Sequence, residues 1–120
     1  MAENEVLNTA DLLLRLEGDQ ELLGELIDVF VAEREGLLRG VSEAVTQQDA
    51  AGLERAAHKL KGSVSMFGSR IATQSCQLLE TMGRDSDPSR AAEVFAQLKP
   101  QIETLEKALI ELRGAACPKS

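Results

Sequence analysis

Tryptophan and tyrosine are absent from these 120 residues, and phenylalanine occurs three times. A core without aromatic bulk must be filled by Leu, Ile, Val and Ala. That suits packed helices better than a sandwich of β-branched and aromatic strands. Cysteine is nearly missing too. Cys76 and Cys117 are too few and too irregularly placed for a disulfide framework or a zinc site, and are read as reduced thiols of a cytoplasmic protein. No apolar run approaches the roughly 20 residues that span a bilayer, and no basic-then-apolar leader opens the chain. Positive charge is also short. Thirteen Lys and Arg against 20 Asp and Glu leave a formal net charge of −7, which excludes generic binding to nucleic acid or anionic membrane.

What remains, 43% hydrophobic and 28% charged, has the balance of one soluble domain spanning 1–120. Its core is expected over about 7–113, with 114–120 as a frayed tail. The apolar residues recur at three- and four-residue steps, a helical period, and nothing alternates like a strand. A short helix, Thr9 to Leu16, ends at Gly18. Asp19 then caps a long helix whose stripe is Leu23, Ile27, Phe30, Leu37, Val41 and Ala44, widened by Leu22, Leu26 and Leu38. Asp49 opens the next, with the seam Leu53, Ala57, Leu60, Val64 and Phe67, closed by Gly68.

Ser69 is placed as cap of a third long helix with seam Ile71, Ser75, Leu78 and Met82, and Ala72 and Leu79 beside it; Gly83 and a polar stretch follow. Asp87-Pro88 has the form of a helix start, and Ala91, Val94, Leu98, Ile102, Leu105, Leu109 and Leu112 continue from it as far as Gly114. Pro100 is expected to kink this last helix or break its hydrogen bonding locally. Four one-sided helices with short loops predict an all-α fold, an antiparallel up-down four-helix bundle with the short first helix at one end.

One histidine is present, inside RAAHKLKGSVSMFG. At about 100° per residue, His58 falls roughly 140° from the centre of its helix seam, on the outer face. Gly62, Ala51 and Ser65 share that face, at roughly 180°, 160° and 120°, and Lys61 flanks it near 80°. An exposed imidazole ringed by small residues, with a lysine three positions on, is equipped as a nucleophile for an electrophilic group such as phosphoryl. Gly62 gives room one turn away, and Lys61 offers charge-assisted hydrogen bonds to phosphate oxygens. Ala51 and Ser65 keep the surface flat enough for docking. By the same wheel Lys59 points away from His58, as a solvated surface lysine. Other chemistry fails on inventory. One His without Cys or an acidic cluster is a poor metal site, no glycine-rich loop cradles a nucleotide, and a surface helix offers Ser63 or Ser65 no oxyanion pocket.

Ala57-His58-Lys59-Leu60-Lys61-Gly62-Ser63, followed by Gly68, resembles the AHxLKGS…G signature of histidine-containing phosphotransfer (Hpt) domains. The upstream LLLRLEGDQELLGELIDVF resembles their lead-in, so the likeness runs from about Leu7 to Leu112. It implies a four-helix bundle in which His58 takes a phosphoryl group from a receiver domain's aspartate and passes it to another. Lys61 would contact that group, Gly62 would leave space for it, and Gly68 would sit at the turn into the next helix. Glu80 has the spacing of the glutamate that orients the imidazole in related chemotaxis-kinase domains, although the wheel leaves it on the outer flank. Ala51, Arg55, Lys59 and Ser65 are the expected docking contacts, with Leu12 or Leu13 adding apolar surface from the short helix. The chain would carry no cofactor and act as a monomer; the partner receiver would bring Mg²⁺. A phosphocarrier without kinase motifs is therefore the leading expectation. The alternatives are the phosphorylatable domain of a chemotaxis-type kinase and a non-catalytic interaction bundle.

Overall fold

The computed structural model describes Leu12 and residues 14–116. Among the described residues there are four long helices and no strand. They are α1 (Gln20–Gln47), α2 (Ala50–Met66), α3 (Arg70–Arg84) and α4 (Ala91–Ala116), with a 3₁₀ turn at Pro88–Arg90 before the last. Each helix packs on two others: α1 on α2 and α4, and α3 on α2 and α4. The single core between them contains Leu23, Ile27, Phe30, Leu53, Leu60, Phe67, Leu79, Leu98, Ile102, Leu105 and Leu109. Each such side chain contributes about 1.5–3 kcal/mol by leaving water. Phe30 and Phe67 meet edge-on with centroids 5.5 Å apart, joining α1 to the end of α2. Leu12 is also inside this core, which removes it as a docking contact. Leu13 and half of the expected short N-terminal helix lie outside the described residues.

The helix starts follow the sequence closely on one side of the molecule. Asp19 accepts from the Leu22 amide at 3.0 Å, and Asp49 from the Gly52 amide at 3.0 Å. Each satisfies one of the donors that a helix N-terminus leaves unpaired. Elsewhere the signals mislead. Ser69 stands at the N-cap of α3, but its hydroxyl makes no capping bond. Asp87 caps nothing through its side chain, which accepts from Ser89 Oγ at 2.8 Å instead. The Asp-Pro pair therefore starts the 3₁₀ turn, and α4 begins only at Ala91. α4 also continues past Gly114 to Ala116; it stays one helix across Pro100, which has no amide hydrogen to donate. Residues 117–120, the rest of the expected tail, lie outside the described residues.

Three of the turns share one ending. In each, a residue with positive φ lets the next amide reach back five positions: Asp49 to Ala44, Ser69 to Val64, and Asp87 to Met82. The reversing residues are Gln48, Gly68 and Ser86, at φ 55°, 73° and 55°. This is the Schellman closure, and only at Gly68 does a glycine supply the left-handed conformation without a Cβ penalty.

The largest departure from the sequence reading is the rotation of α3. Its buried residues are Ala72, Ser75, Cys76, Leu79, Glu80 and Gly83, whereas Leu78 is 53% exposed and Ile71 and Met82 are only partly covered. Ser75, Ala72 and Leu79 of the expected stripe face inward, but its bulky members Ile71, Leu78 and Met82 do not, because α3 approaches α2 too closely for bulk. A Cβ placed on Gly83 would lie 2.5 Å from the Glu54 backbone nitrogen and 2.6 Å from the Ala50 carbonyl oxygen. Gly83 is thus a contact inside the helix, not its terminator.

Candidate functional site

His58 lies on the outer face of α2, as its wheel position predicts, with 69% of its side chain exposed. The seam beneath it is sealed: Leu53, Ala57, Leu60 and Val64 are fully buried. The imidazole does not hang free. Its Nδ1 is 3.1 Å from Glu80 Oε2, across the α2–α3 seam. Glu80 is only 5% exposed, which corrects its expected place on the outer flank. Rotating α3 so that Ala72, Cys76, Leu79 and Gly83 face inward carries Glu80 from the flank to the seam.

The same carboxylate faces two cations. Lys61 Nζ lies 2.8 Å from Oε1, and the Arg84 guanidinium lies 3.3 Å from Oε2. The Lys61 ammonium, followed by the His58 contact, holds the Glu80 carboxyl below the usual carboxylate range against the opposing effect of burial. An ionised carboxylate can only accept hydrogen bonds, so His58 Nδ1 must donate. In a neutral ring that contact keeps the proton on Nδ1 and leaves Nε2 as the acceptor nitrogen.

Lys61 has a second partner. Its ammonium donates to Gln77 Oε1 at 2.9 Å, and the Gln77 amide donates in turn to Thr81 Oγ1 at 3.2 Å. The lysine is therefore folded toward α3, with 24% of its side chain exposed, rather than extended beside the imidazole. Gly62 lies on open surface. A Cβ there would meet nothing within 4 Å, so no packing within the chain requires a glycine.

The remaining expected site residues are spread along α2. Ala51, Arg55, Lys59 and Ser65 are all exposed. Arg55 and Lys59 border an open groove of about 770 Å³ between α1 and α2, floored by Gly36, Gly40, Gly52 and Ala56. Lys59 thus points away from His58, as expected, but into a concave surface. Gly68 occupies the turn into α3. Cys76 is buried one turn from Glu80 and is a free thiol, with burial pushing its pKa up to about 12. It is chemically quiet. Among the described residues no three His, Cys, Asp or Glu side chains gather as metal ligands.

Sequence reasoning missed Gln77, Arg84, Glu54 and Gly83. The available signal was spacing. Gln77, Glu80, Thr81 and Arg84 recur at three- and four-residue steps on one face, beside the small-residue series Ala72, Cys76 and Gly83.

Comparison with known proteins agrees with this geometry. The family described as Hpt domain matches residues 25–114. Among solved structures, histidine-containing phosphotransfer protein B from Pseudomonas aeruginosa PAO1 is similar, at 26% identity and a TM-score of 0.83, over 91% of this chain and 95% of that one. Comparison with curated proteins returns no match. The chain belongs to the Hpt domain family, and its role is histidine phosphotransfer in a phosphorelay. Hpt domains are phosphocarriers rather than kinases and work with receiver domains. Neither the chemotaxis-kinase domain nor the bare interaction bundle is favoured.

Proposed function

We propose that His58 Nε2 is the phosphoryl acceptor, taking the group from the aspartyl phosphate of one receiver domain and yielding it to the aspartate of another. The observation that carries this reading is the pairing of the chain's one histidine with Glu80 through Nδ1, which leaves an outward Nε2 lone pair. In the forward step the Nε2–P bond forms as the aspartyl O–P bond breaks. The aspartate leaves as carboxylate, and the ring keeps its Nδ1 proton against Glu80. The positive charge developing on the ring is stabilised by that carboxylate. Lys61 is 2.8 Å from Glu80 at rest, and in this reading turns from it to the incoming phosphate oxygens.

Gly62 supports the assignment. Glycine inside a helix costs about 1 kcal/mol relative to Ala, and nothing in the fold needs it here, so its use is clearance for a group outside the fold. Docking falls to the α2 face bearing Ala51, Arg55 and Ser65, with Lys59 on the adjoining groove. The reading takes the chain to act as a cytoplasmic monomer, and Mg²⁺ to be held by the receiver.

It also takes the bundle to be antiparallel and up-down, with the short N-terminal helix at one end. Cross-helix pairs support this. On α2 and α3, Glu54 meets Arg84, His58 meets Glu80 and Lys61 meets Gln77; on α1 and α4, Asp28 meets Arg113 and Arg34 meets Glu106. In both sets one number rises as the other falls.

The test is transfer from a pre-phosphorylated receiver domain to the native chain and to His58→Gln. An acid-labile, base-stable label is expected on the native chain and none on the variant, with both equally helical by circular dichroism. A label that persists on the variant would overturn the assignment.

A further inference from the structure

The resting position of Lys61 raises a difficulty that the His58 reading does not resolve. Glu80 is 5% exposed, and its Oε1 is neutralised by Lys61. If Lys61 turns to the phosphoryl group, a buried carboxylate loses its nearest cation at the stage when it must still hold Nδ1. A buried carboxylate without a cation tends to take up a proton, and then it no longer favours a protonated Nδ1. Something else must keep it charged.

The charged and titratable groups facing Glu80 are few. From α2 come Lys61 and His58; from its own helix comes Arg84, with Cys76 a turn earlier. Arg84 differs from Lys61 in two ways. It lies on Oε2, the oxygen that also holds His58, through a hydrogen bond of 3.3 Å. It is also tethered from behind, its Nε 3.5 Å from Glu54 Oε2. Glu54 precedes His58 by one turn of α2, and Arg84 follows Glu80 by one turn of α3. The four side chains therefore form a row of three contacts across the seam, Glu54 to Arg84 to Glu80 to His58. Gly83 lets the two backbones come close enough for that row to form.

Resting on the assignment of His58, we propose that Arg84 is a positioning residue of the transfer. It stays on Glu80 Oε2 when Lys61 leaves for the phosphoryl group, and so keeps Glu80 able to hold His58 by Nδ1. Arg84 does not touch the reacting atoms; it acts through Glu80. Its weight should be small in the resting protein, where Lys61 is docked, and large in the phosphorylated one.

The experiment follows onward transfer from the phosphorylated chain to a receiver domain across pH 5 to 8, roughly the window in which a histidine site is assayed. Native protein, Arg84→Met, Arg84→Gln and Arg84→Lys are compared, with ¹⁵N NMR of the His58 ring alongside. Arg84→Met should lose about tenfold in transfer rate at the acid end, as expected for a lost charge-assisted hydrogen bond, and less at the alkaline end. The ¹⁵N shift of Nδ1 in the phosphorylated ring should move away from its native value, and Arg84→Lys should restore both. Arg84→Gln keeps the helix preference and serves if the methionine variant does not fold. Variants whose pH profile and Nδ1 shift superimpose on the native ones would overturn the proposal. So would a uniform loss at every pH that Arg84→Lys does not repair, since that marks a structural role alone. If the native chain carries no label on His58, the underlying assignment fails instead.

Discussion

α4 buries Leu98, Ile102, Leu105 and Leu109, four large aliphatic side chains on one stripe, while α3 of similar packing buries only Leu79 among residues of that size. Where α4 meets α1, charge is less deeply placed, in the partly covered pair Arg34 with Glu106 and in Arg113 with the exposed Asp28. Where α3 meets α2, charge enters the seam itself. Glu80 is buried there with three donors around it, and Gly83 brings the backbones together. One side of the bundle holds the fold by apolar volume. The other gives up volume so that a carboxylate on one helix can reach an imidazole on the next. A side-chain contact of this kind between two helices needs a short interhelical distance, and a short distance needs small residues.

Substitutions can break that contrast at either end. The largest effect on stability is expected from Leu105→Ala in α4, about 3 kcal/mol by urea unfolding, because a fully buried leucine leaves a cavity as well as lost burial. His58 labelling at temperatures where the variant stays folded should be unchanged, since the α2–α3 seam is untouched. Gly83→Ala is expected to cost somewhat less, about 2 kcal/mol, because the new methyl group must push α3 off the backbone at Ala50 and Glu54. Unlike Leu105→Ala, it should also slow phosphotransfer, by withdrawing Glu80 from His58. Equal transfer by the two variants would remove the distinction between the seams.

The smallest effect is one of pH. Glu80 has its carboxyl held below the ordinary range by Lys61 and His58. A group whose folded-state value is depressed adds stability that is fully present above its unfolded value, about 4.3, and is lost as the pH falls through the lower folded value. Native protein should therefore lose stability relative to Glu80→Gln over that acid interval, and keep a constant difference from it above about pH 5. Parallel stability curves through the acid range would show that the seam carboxylate is not held charged by its neighbours.

Much of this was legible in advance, but unevenly. The α2 seam, Leu53 through Phe67, and the exposure of His58 followed from periodicity alone, because large apolar residues lie on one side and small or charged ones on the other. Asp19 and Asp49 were readable as caps because their function is local, a side chain reaching an amide three residues on. α3 defeated the same method. Leu78 drew the stripe toward itself, yet it is exposed, and the true inner face consists of Ala, Ser, Cys, Leu, Glu and Gly. Periodicity weighs side chains by their own hydrophobicity, whereas burial on α3 is decided by how near α2 lies. Ser69 and Asp87 failed as caps for a related reason: residue type permits a cap, but the path of the chain decides which donor is within reach.

By itself, then, the sequence determined the helical class, the core stripes of α2, α4 and α1 (apart from Leu22, which is exposed), the outward histidine and the signature around it. Each of these depends on spacing within one helix, and the helix repeat converts spacing into direction. Only the tertiary structure decided that Glu80 is buried, that it meets His58 at Nδ1, and that Lys61 rests on Glu80 and Gln77. Those facts depend on the rotation and distance of one helix relative to another. That relation is set by Gly83 and the small residues of α3 packing against the α2 backbone, and no period within either helix encodes it.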